Sequence, residues 1–130
     1  MGATSASAWT FATTGAPQRA VYNGVSFGEG AGDIFRDGFS LIHTDAKLRD
    51  PVSNGRSVHQ KTSVWFPTNL QYTGAAQSTG RRSESTWASM KRTTINTTIS
   101  SGGASASSKV CEDASLQPDI CSSTLVKSSL

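Results

Sequence analysis

The sequence predicts an α+β fold: an N-terminal hairpin and an antiparallel β-sheet, followed by two short C-terminal α-helices. Three observations carry this. Runs such as Ser57–Phe66 alternate in polarity and are rich in β-branched and aromatic residues. Asn23-Gly24 stands between two such runs, where a two-residue hairpin turn needs positive φ at both positions. The end of the chain instead carries helix signals. Ser107 or Ser108 can cap a first helix, Glu112 and Asp113 sit near its positive end, and Pro118 fits the first turn of a second.

The elements follow in order. Ala8–Thr13 reads as the first strand and Thr14-Gly15-Ala16-Pro17 as a turn. Arg19–Tyr22 is a second strand, and Val25-Ser26-Phe27 begins a third. Gly28, Gly30, Gly32 and Gly38 then read as a loop carrying Ile34 and Phe35. Phe39–Thr44, extending toward Leu48, is a fourth strand, and Asp50–Gly55 reverses the chain. Ser57–Phe66 is a fifth strand ending at Pro67, and Thr68–Gly80 is a polar loop. Ser85–Ser100 is a long Thr-rich last strand, because β-branching restricts χ1 against helix. Val110, Ala114, Leu116, Ile120, Leu125 and Val126 make only a discontinuous apolar stripe on the helices. They therefore need a sheet to lie on and a second copy to complete it, so an obligate dimer is expected.

Size and composition agree with one domain, residues 1–130, with hairpin and sheet in 1–103 and helices in 104–130. Apolar residues are 35%, below the usual share of about 45–50%, and charged residues are 16%. This excludes a solvated helical bundle and charge-driven disorder. The net charge of +3, with a pI near 9.1, permits nucleic-acid binding without requiring it. No run has the length of a membrane span, and the first residues lack the basic and apolar regions of a signal peptide, so a protein made in a cytosol is expected. Cys111 and Cys121 are too few for a disulfide scaffold. Two small buried thiols are the first expectation, and a disulfide formed late in an oxidising medium the second.

Strand residues alternate sides. In the fifth strand Val58, Gln60, Thr62, Val64 and Phe66 share one side, and His59, Lys61, Ser63 and Trp65 the other. In the last strand Trp87, Ser89, Lys91, Thr93, Ile95, Thr97 and Ile99 oppose Met90, Arg92, Thr94, Asn96 and Thr98. Pairing the two polar sides gives a candidate RNA surface of His59, Lys61, Ser63, Trp65, Met90, Arg92, Thr94 and Asn96. Cations there would meet phosphates, hydroxyls and amides would meet bases or ribose, and the aromatic would stack an unpaired base. A solvated sheet face is the competing account. Nothing points to an enzyme. No nucleophile motif, calcium loop or phosphate-binding Gly fingerprint is present, and no cofactor or metal is expected. A ribonuclease built on His43, His59 and Lys61 would need the two histidines brought together, which no local pattern does.

Several local matches make the chain resemble the coat protein of single-stranded RNA bacteriophages, the levivirus type. Asn23-Gly24-Val25-Ser26 resembles the start of the sheet in such coats. Val64-Trp65-Phe66-Pro67 occupies the place where a strand closes before a flexible loop, and Trp87 opens the last strand. Arg92, Thr94 and Asn96 fall on the RNA side, with Lys61 and Ser63 near RNA-contacting positions. The resemblance implies a homodimer intertwined through one continuous sheet, its helices crossing the partner. Dimers would build an icosahedral shell around single-stranded genomic RNA, the Thr68–Gly80 loop adapting to different symmetry axes. It leaves room for an operator hairpin and for a viral maturation protein as partners, involves no membrane, and implies a virion assembled in bacterial cytoplasm. The alternative is a free-standing single-stranded nucleic-acid-binding β-domain.

Overall fold

A computed structural model of the chain describes residues 8–38, 40–52, 56–67, 71–77, 81–82, 86–97, 103–113 and 118–130. These residues form two antiparallel sheets packed face to face, with no α-helix among them. The first sheet contains β1 (Ala8–Ala12), β2 (Gln18–Tyr22), β3 (Val25–Asp37), β4 (Leu41–Arg49), β8 (Ala88–Ser89) and β9 (Thr93–Asn96). The second contains β5 (Ser57–Phe66), β6 (Gln71–Gln77), β7 (Arg81–Arg82), β10 (Ser105–Glu112), β11 (Ile120–Cys121) and β12 (Leu125–Lys127). Each sheet has two long central strands and broken edges. In the first, β1 and β2 lie end to end along β3, and β8 and β9 end to end along β4. In the second, β10 and β5 are central, with β11 and β12 beyond β10 and β6 and β7 beyond β5.

The Asn23-Gly24 turn forms as its composition requires, with φ of 51° and 75°. The expected long strand Ser85–Ser100 is instead the two short strands β8 and β9, with 85 and 98–100 outside the described residues. Three further segments depart from the expectation. The first is the C-terminal helical pair: residues 105–112 are a central strand, paired along β5 from Ser105↔Trp65 to Glu112↔Val58. The segment is buried throughout except at Lys109, and its side chains alternate between the two sides of the sheet. Ala106, Ser108, Val110 and Glu112 are fully buried between the sheets, while Lys109 on the opposite side is exposed. Small Ser and Ala side chains weaken that period in the sequence, and the Ser cap and acidic signals are local preferences that sheet pairing overrides. Residues 114–117, including Ala114 and Leu116 of the expected helices, lie outside the described residues.

The second is the glycine run: Gly28, Gly30 and Gly32 lie in strand β3, and Gly38 is at a turn. Gly28 and Gly30 alternate on the inner side of β3, where the facing sheet comes close. A Cβ on Gly30 would stand 2.6 Å from Val110 Cγ2, and one on Gly28 2.9 Å from Val58 Cγ1. The missing side chains are the space that the two valines of the opposite sheet occupy. The third is the expected 68–80 loop, which contains β6, an edge strand on β5. Residues 68–70 and 78–80 lie outside the described residues.

The core is closed within one chain. Phe11, Ile34, Ile42, Val64, Phe66, Ile95, Ala104, Ala106 and Leu130 form its larger apolar cluster, and Leu48, Val58 and Val110 a smaller one. Between them runs a buried polar belt. Gln60 Nε2 donates to Thr62 Oγ1 at 2.8 Å and to Ser108 Oγ at 3.0 Å, and Ser108 Oγ donates to Gln18 Oε1 at 2.8 Å. Gln18 Nε2 donates to the Ser108 carbonyl at 2.8 Å, and the Thr44 and Thr62 hydroxyls meet at 2.8 Å. Satisfied polar groups at these positions fix the register of both sheets, since a one-residue slip would strand them. The expectation of an obligate dimer rested on thin C-terminal helices, and the described residues contain none.

Cys111 and Cys121 are joined in a disulfide rather than held as thiols. They are directly opposite on β10 and β11, and the Ser122 N–H donates to the Val110 carbonyl, which makes 111/121 the adjacent non-hydrogen-bonded pair. The bond closes a short loop, and chain entropy assigns it about 3 kcal/mol. Reduction is expected to lower the thermal midpoint by roughly 10 °C, read by calorimetry with and without reductant. An unchanged midpoint would show that strand pairing alone holds β11.

Candidate nucleic-acid interface

The expected RNA surface is divided by the fold. His59, Lys61, Ser63 and Trp65 lie on the outer side of the second sheet, where His59 is buried, while Arg92, Thr94 and Asn96 belong to an edge of the first, on the other side of the sandwich. His43 also lies on the first sheet's outer face, so the sandwich separates it from His59 and a two-histidine ribonuclease site does not form.

Met90 and Arg92 are further separated by a bulge. Lys47↔Ser89 and Leu48↔Ala88 share one register, whereas Thr44↔Thr93 and His43↔Thr94 are shifted by one residue. The phase of the strand changes across Lys91 and Arg92. Met90 therefore turns inward onto the Leu48, Val58 and Val110 cluster, and Arg92 turns outward. Arg92 is already engaged: its Nε and Nη2 donate to the two Asp45 oxygens at 2.7 Å each, and its guanidinium lies 4.9 Å from the Phe35 ring centre. The hydrogen bonds from Arg92 hold the Asp45 carboxyl below its usual range. Thr94 Oγ1 is 2.9 Å from His43 Nδ1. Asn96 is exposed at the end of the strand, opposite Leu41.

The outer face of the second sheet is a different environment. Cross-strand register sets its rows. Lys61 lies between Gln77 of β6 and Lys109 of β10, Ser63 between Ala75 and Ser107, and Trp65 between Tyr72 and Ser105. Lys61 and Lys109 are both exposed and directly opposite one another. Like charges in that position repel, and among the described residues neither has a carboxylate within ion-pair distance. On the same side Asp113 Oδ1 is 3.0 Å from His59 Nδ1, though without hydrogen-bond alignment. Tyr72 is 63% exposed and stands opposite the half-buried Trp65. Four residues of strand separate Lys61 from Trp65, roughly 13 Å. The face therefore offers paired cations at one end, the half-buried Ser63 beside a buried Ser107 in the middle, and two aromatic rings at the other.

Lys109, Tyr72, Ser107 and Gln77 were missed by the sequence reading. Reading 107–113 as helix removed Lys109 and Ser107 from any strand face, and reading 68–80 as loop removed Tyr72 and Gln77. The period of two from Ala104 to Glu112 was the signal that would have recovered the first pair.

On the first sheet's outer face two arginines neutralise one carboxylate. Glu29, nearly buried, faces Arg19 on β2 and Arg49 on β4 across both registers. Arg49 Nε donates to Glu29 Oε1 at 2.8 Å, Arg19 Nε lies 3.0 Å from Oε2, and Trp87 stacks on Arg49 at 5.0 Å. Burial opposes ionisation of Glu29, but hydrogen bonds from Arg49 and Ser26 and the two arginine charges outweigh it, so its pKa falls below the ordinary 4.5. Because the folded value is depressed, its contribution is complete above that ordinary value and is lost as pH falls below it. Glu29→Gln is expected to flatten the acid limb of the stability curve below about pH 4.5, measured by urea unfolding at a series of pH values. A limb of unchanged slope would remove Glu29 as its source.

No family model, curated protein or solved structure matches the chain. The fold and face define its class directly: an all-β sandwich with a cationic, aromatic-bearing sheet surface. No helix among the described residues is long and apolar enough to cross a membrane.

Proposed function

We propose that this chain is a non-catalytic structural protein that binds single-stranded RNA on the outer face of its second sheet and self-assembles around it as a viral shell subunit. The observation that supports the RNA reading best is the Lys61–Lys109 pair, which has no carboxylate partner among the described residues and shares a face with Trp65 and Tyr72. Two cations set side by side against their own repulsion provide for an anionic ligand. The exposed Tyr72 ring and the half-buried Trp65 ring, a few residues away, provide for the bases of an unpaired strand rather than for a duplex, whose bases are already stacked. The shell reading draws on the local coat-like motifs, Asn23-Gly24-Val25-Ser26 and Val64-Trp65-Phe66-Pro67, and on the recurrence of double-sheet sandwiches in viral shells, a fold-level analogy. The helix-covered dimer that the resemblance implied is not retained.

One observation favours a second reading, the free-standing nucleic-acid-binding domain: the sandwich completes its core without a partner. Electron microscopy of the purified protein, with assay of co-purified nucleic acid, distinguishes the two. Closed particles containing RNA support the shell. A small RNA-binding species supports the free-standing domain. Absence of RNA binding in either form overturns both.

A further inference from the structure

Both edges of the first sheet break at the same level. Along β3, β1 stops at Ala12↔Gly32 and β2 resumes at Gln18↔Gly30. Along β4, β8 stops at Lys47↔Ser89 and β9 resumes at Thr44↔Thr93. The two central strands pair across that level through Ala31↔Lys47 and Asp33↔Asp45. An open groove of about 440 Å³ lies over it, within the size range of small-ligand sites.

Three charged side chains line the groove, Asp33, Asp45 and Lys47. Asp45 is already occupied by Arg92 through both oxygens. Asp33 accepts from Thr10 Oγ1 at 2.6 Å through Oδ1, and its Oδ2 has no hydrogen bond among the described residues. Lys47 is exposed and has no ion pair among them. Asp33 and Lys47 are diagonal neighbours on one side of the sheet, roughly 7 Å apart. They are opposite in sign and do not meet. A carboxylate only accepts and an ammonium only donates, so a hydroxyl held between them can give its proton to the first and accept from the second. The charges cancel in pairs, Asp33 with Lys47 and Asp45 with Arg92, which leaves no net attraction for a free anion or cation. The exposed Thr10 and Ser89 hydroxyls add further polar contacts, and Ala12, Ala31 and Ala46 supply small apolar patches.

We infer that this groove binds a neutral saccharide. Ring hydroxyls bridge Asp33 Oδ2 and the Lys47 ammonium, and the C–H face of the ring rests on the alanines. A sugar ring divides its surface in this way: hydroxyls that donate and accept at once, set around an apolar C–H face. The site lies on the opposite side of the sandwich from the Lys61–Lys109 face, and it stands independently of the RNA reading.

Isothermal titration calorimetry tests it with the methyl glycosides of glucose, galactose and mannose and with lactose, maltose and cellobiose. Wild type is compared with Asp33→Asn and Lys47→Ala. Wild type is expected to bind at least one of these sugars in the millimolar range. Asn at 33 keeps an acceptor for Thr10 and removes a like-charge pair with Asp45, and Lys47 is exposed, so both variants are expected to keep the wild-type thermal midpoint. Each variant is expected to weaken the sugar about ten-fold. If Asp33→Asn loses its midpoint, Lys47→Ala alone decides. Absence of binding by wild type to every sugar in the series overturns the inference, as does equal affinity in wild type and the folded variants. Displacement of the bound sugar by inorganic phosphate overturns the neutral class of the ligand.

Discussion

Replacing Lys61 and Lys109 together by Ala is expected to weaken binding of single-stranded RNA about a hundredfold near physiological salt. Each lysine is assigned one phosphate contact, and a hydrogen bond to a charged group contributes about 1.5 kcal/mol or more, so two contacts give roughly 3 kcal/mol, a factor of about 100. The slope of log affinity against log salt should flatten by about 1.4, close to 0.7 for each single-strand phosphate that no longer meets a lysine. Stability should move the other way or not at all, because the substitution removes a repulsive cross-strand pair. Arg92→Ala supplies the contrast. That guanidinium is held by Asp45 on the opposite side of the sandwich, and its removal should leave RNA affinity unchanged. Fluorescence anisotropy with a short oligo(U) at several salt concentrations measures all three proteins. Equal affinity and slope in wild type and the lysine double variant would reduce the face to a solvated sheet surface. A weakening with Arg92→Ala as large as that of the lysines would place the ligand on the wrong sheet.

The expected surface was half legible, and the division has a physical cause. Alternation identifies which side chains share one strand's face, and for Ser57–Phe66 it separated the buried Val58, Gln60, Thr62, Val64 and Phe66 from Lys61, Ser63 and Trp65, but it also set His59, which is buried, with the latter. Alternation does not state which strand is the neighbour. Thr93–Asn96 pairs with Leu41–Thr44 instead of with the fifth strand, a non-local choice made by the packing of two sheets. Nor does it register a bulge. Lys91 and Arg92 opposite Asp45 have no unusual composition, yet they reverse the phase and send Met90 into the core. The helices were expected because capping and dipole signals are read over three or four residues. The strand at 105–112 is stabilised by eight cross-strand partners on β5 that lie some 48 residues away at its centre. Asn23-Gly24 was readable because its information is local: both residues must adopt positive φ, and these two residue types tolerate it.

The glycines of β3 lead to the largest expected change in stability. Gly32→Ala is expected to destabilise the fold by on the order of 4 kcal/mol or more, and in the cell to leave mostly unfolded or degraded chain. Two effects coincide there. Gly32 has φ of +145°, a backbone conformation that a residue with a Cβ rarely adopts. An added Cβ would also overlap the Asp45 carbonyl oxygen and stand 2.9 Å from Ala46 Cα, both backbone atoms of the paired strand β4. A side chain could rotate away, but a central strand cannot move without disturbing its own ladder and the Arg92–Asp45 contact beyond it. Two other alanine substitutions separate strain from crowding. Gly24→Ala has open space but φ of +75°, and should lose about 1 kcal/mol; Gly15→Ala has open space and no positive φ, and should stay within about 0.5 kcal/mol of wild type. Urea unfolding of the three variants beside wild type gives the series. If Gly32→Ala falls near Gly24→Ala, the strand tolerates the intrusion and the approach of β3 to β4 is looser than these distances require. If Gly15→Ala is as damaging as Gly32→Ala, the cost lies in glycine's flexibility removed anywhere in the chain, and the β3–β4 contact has no special role.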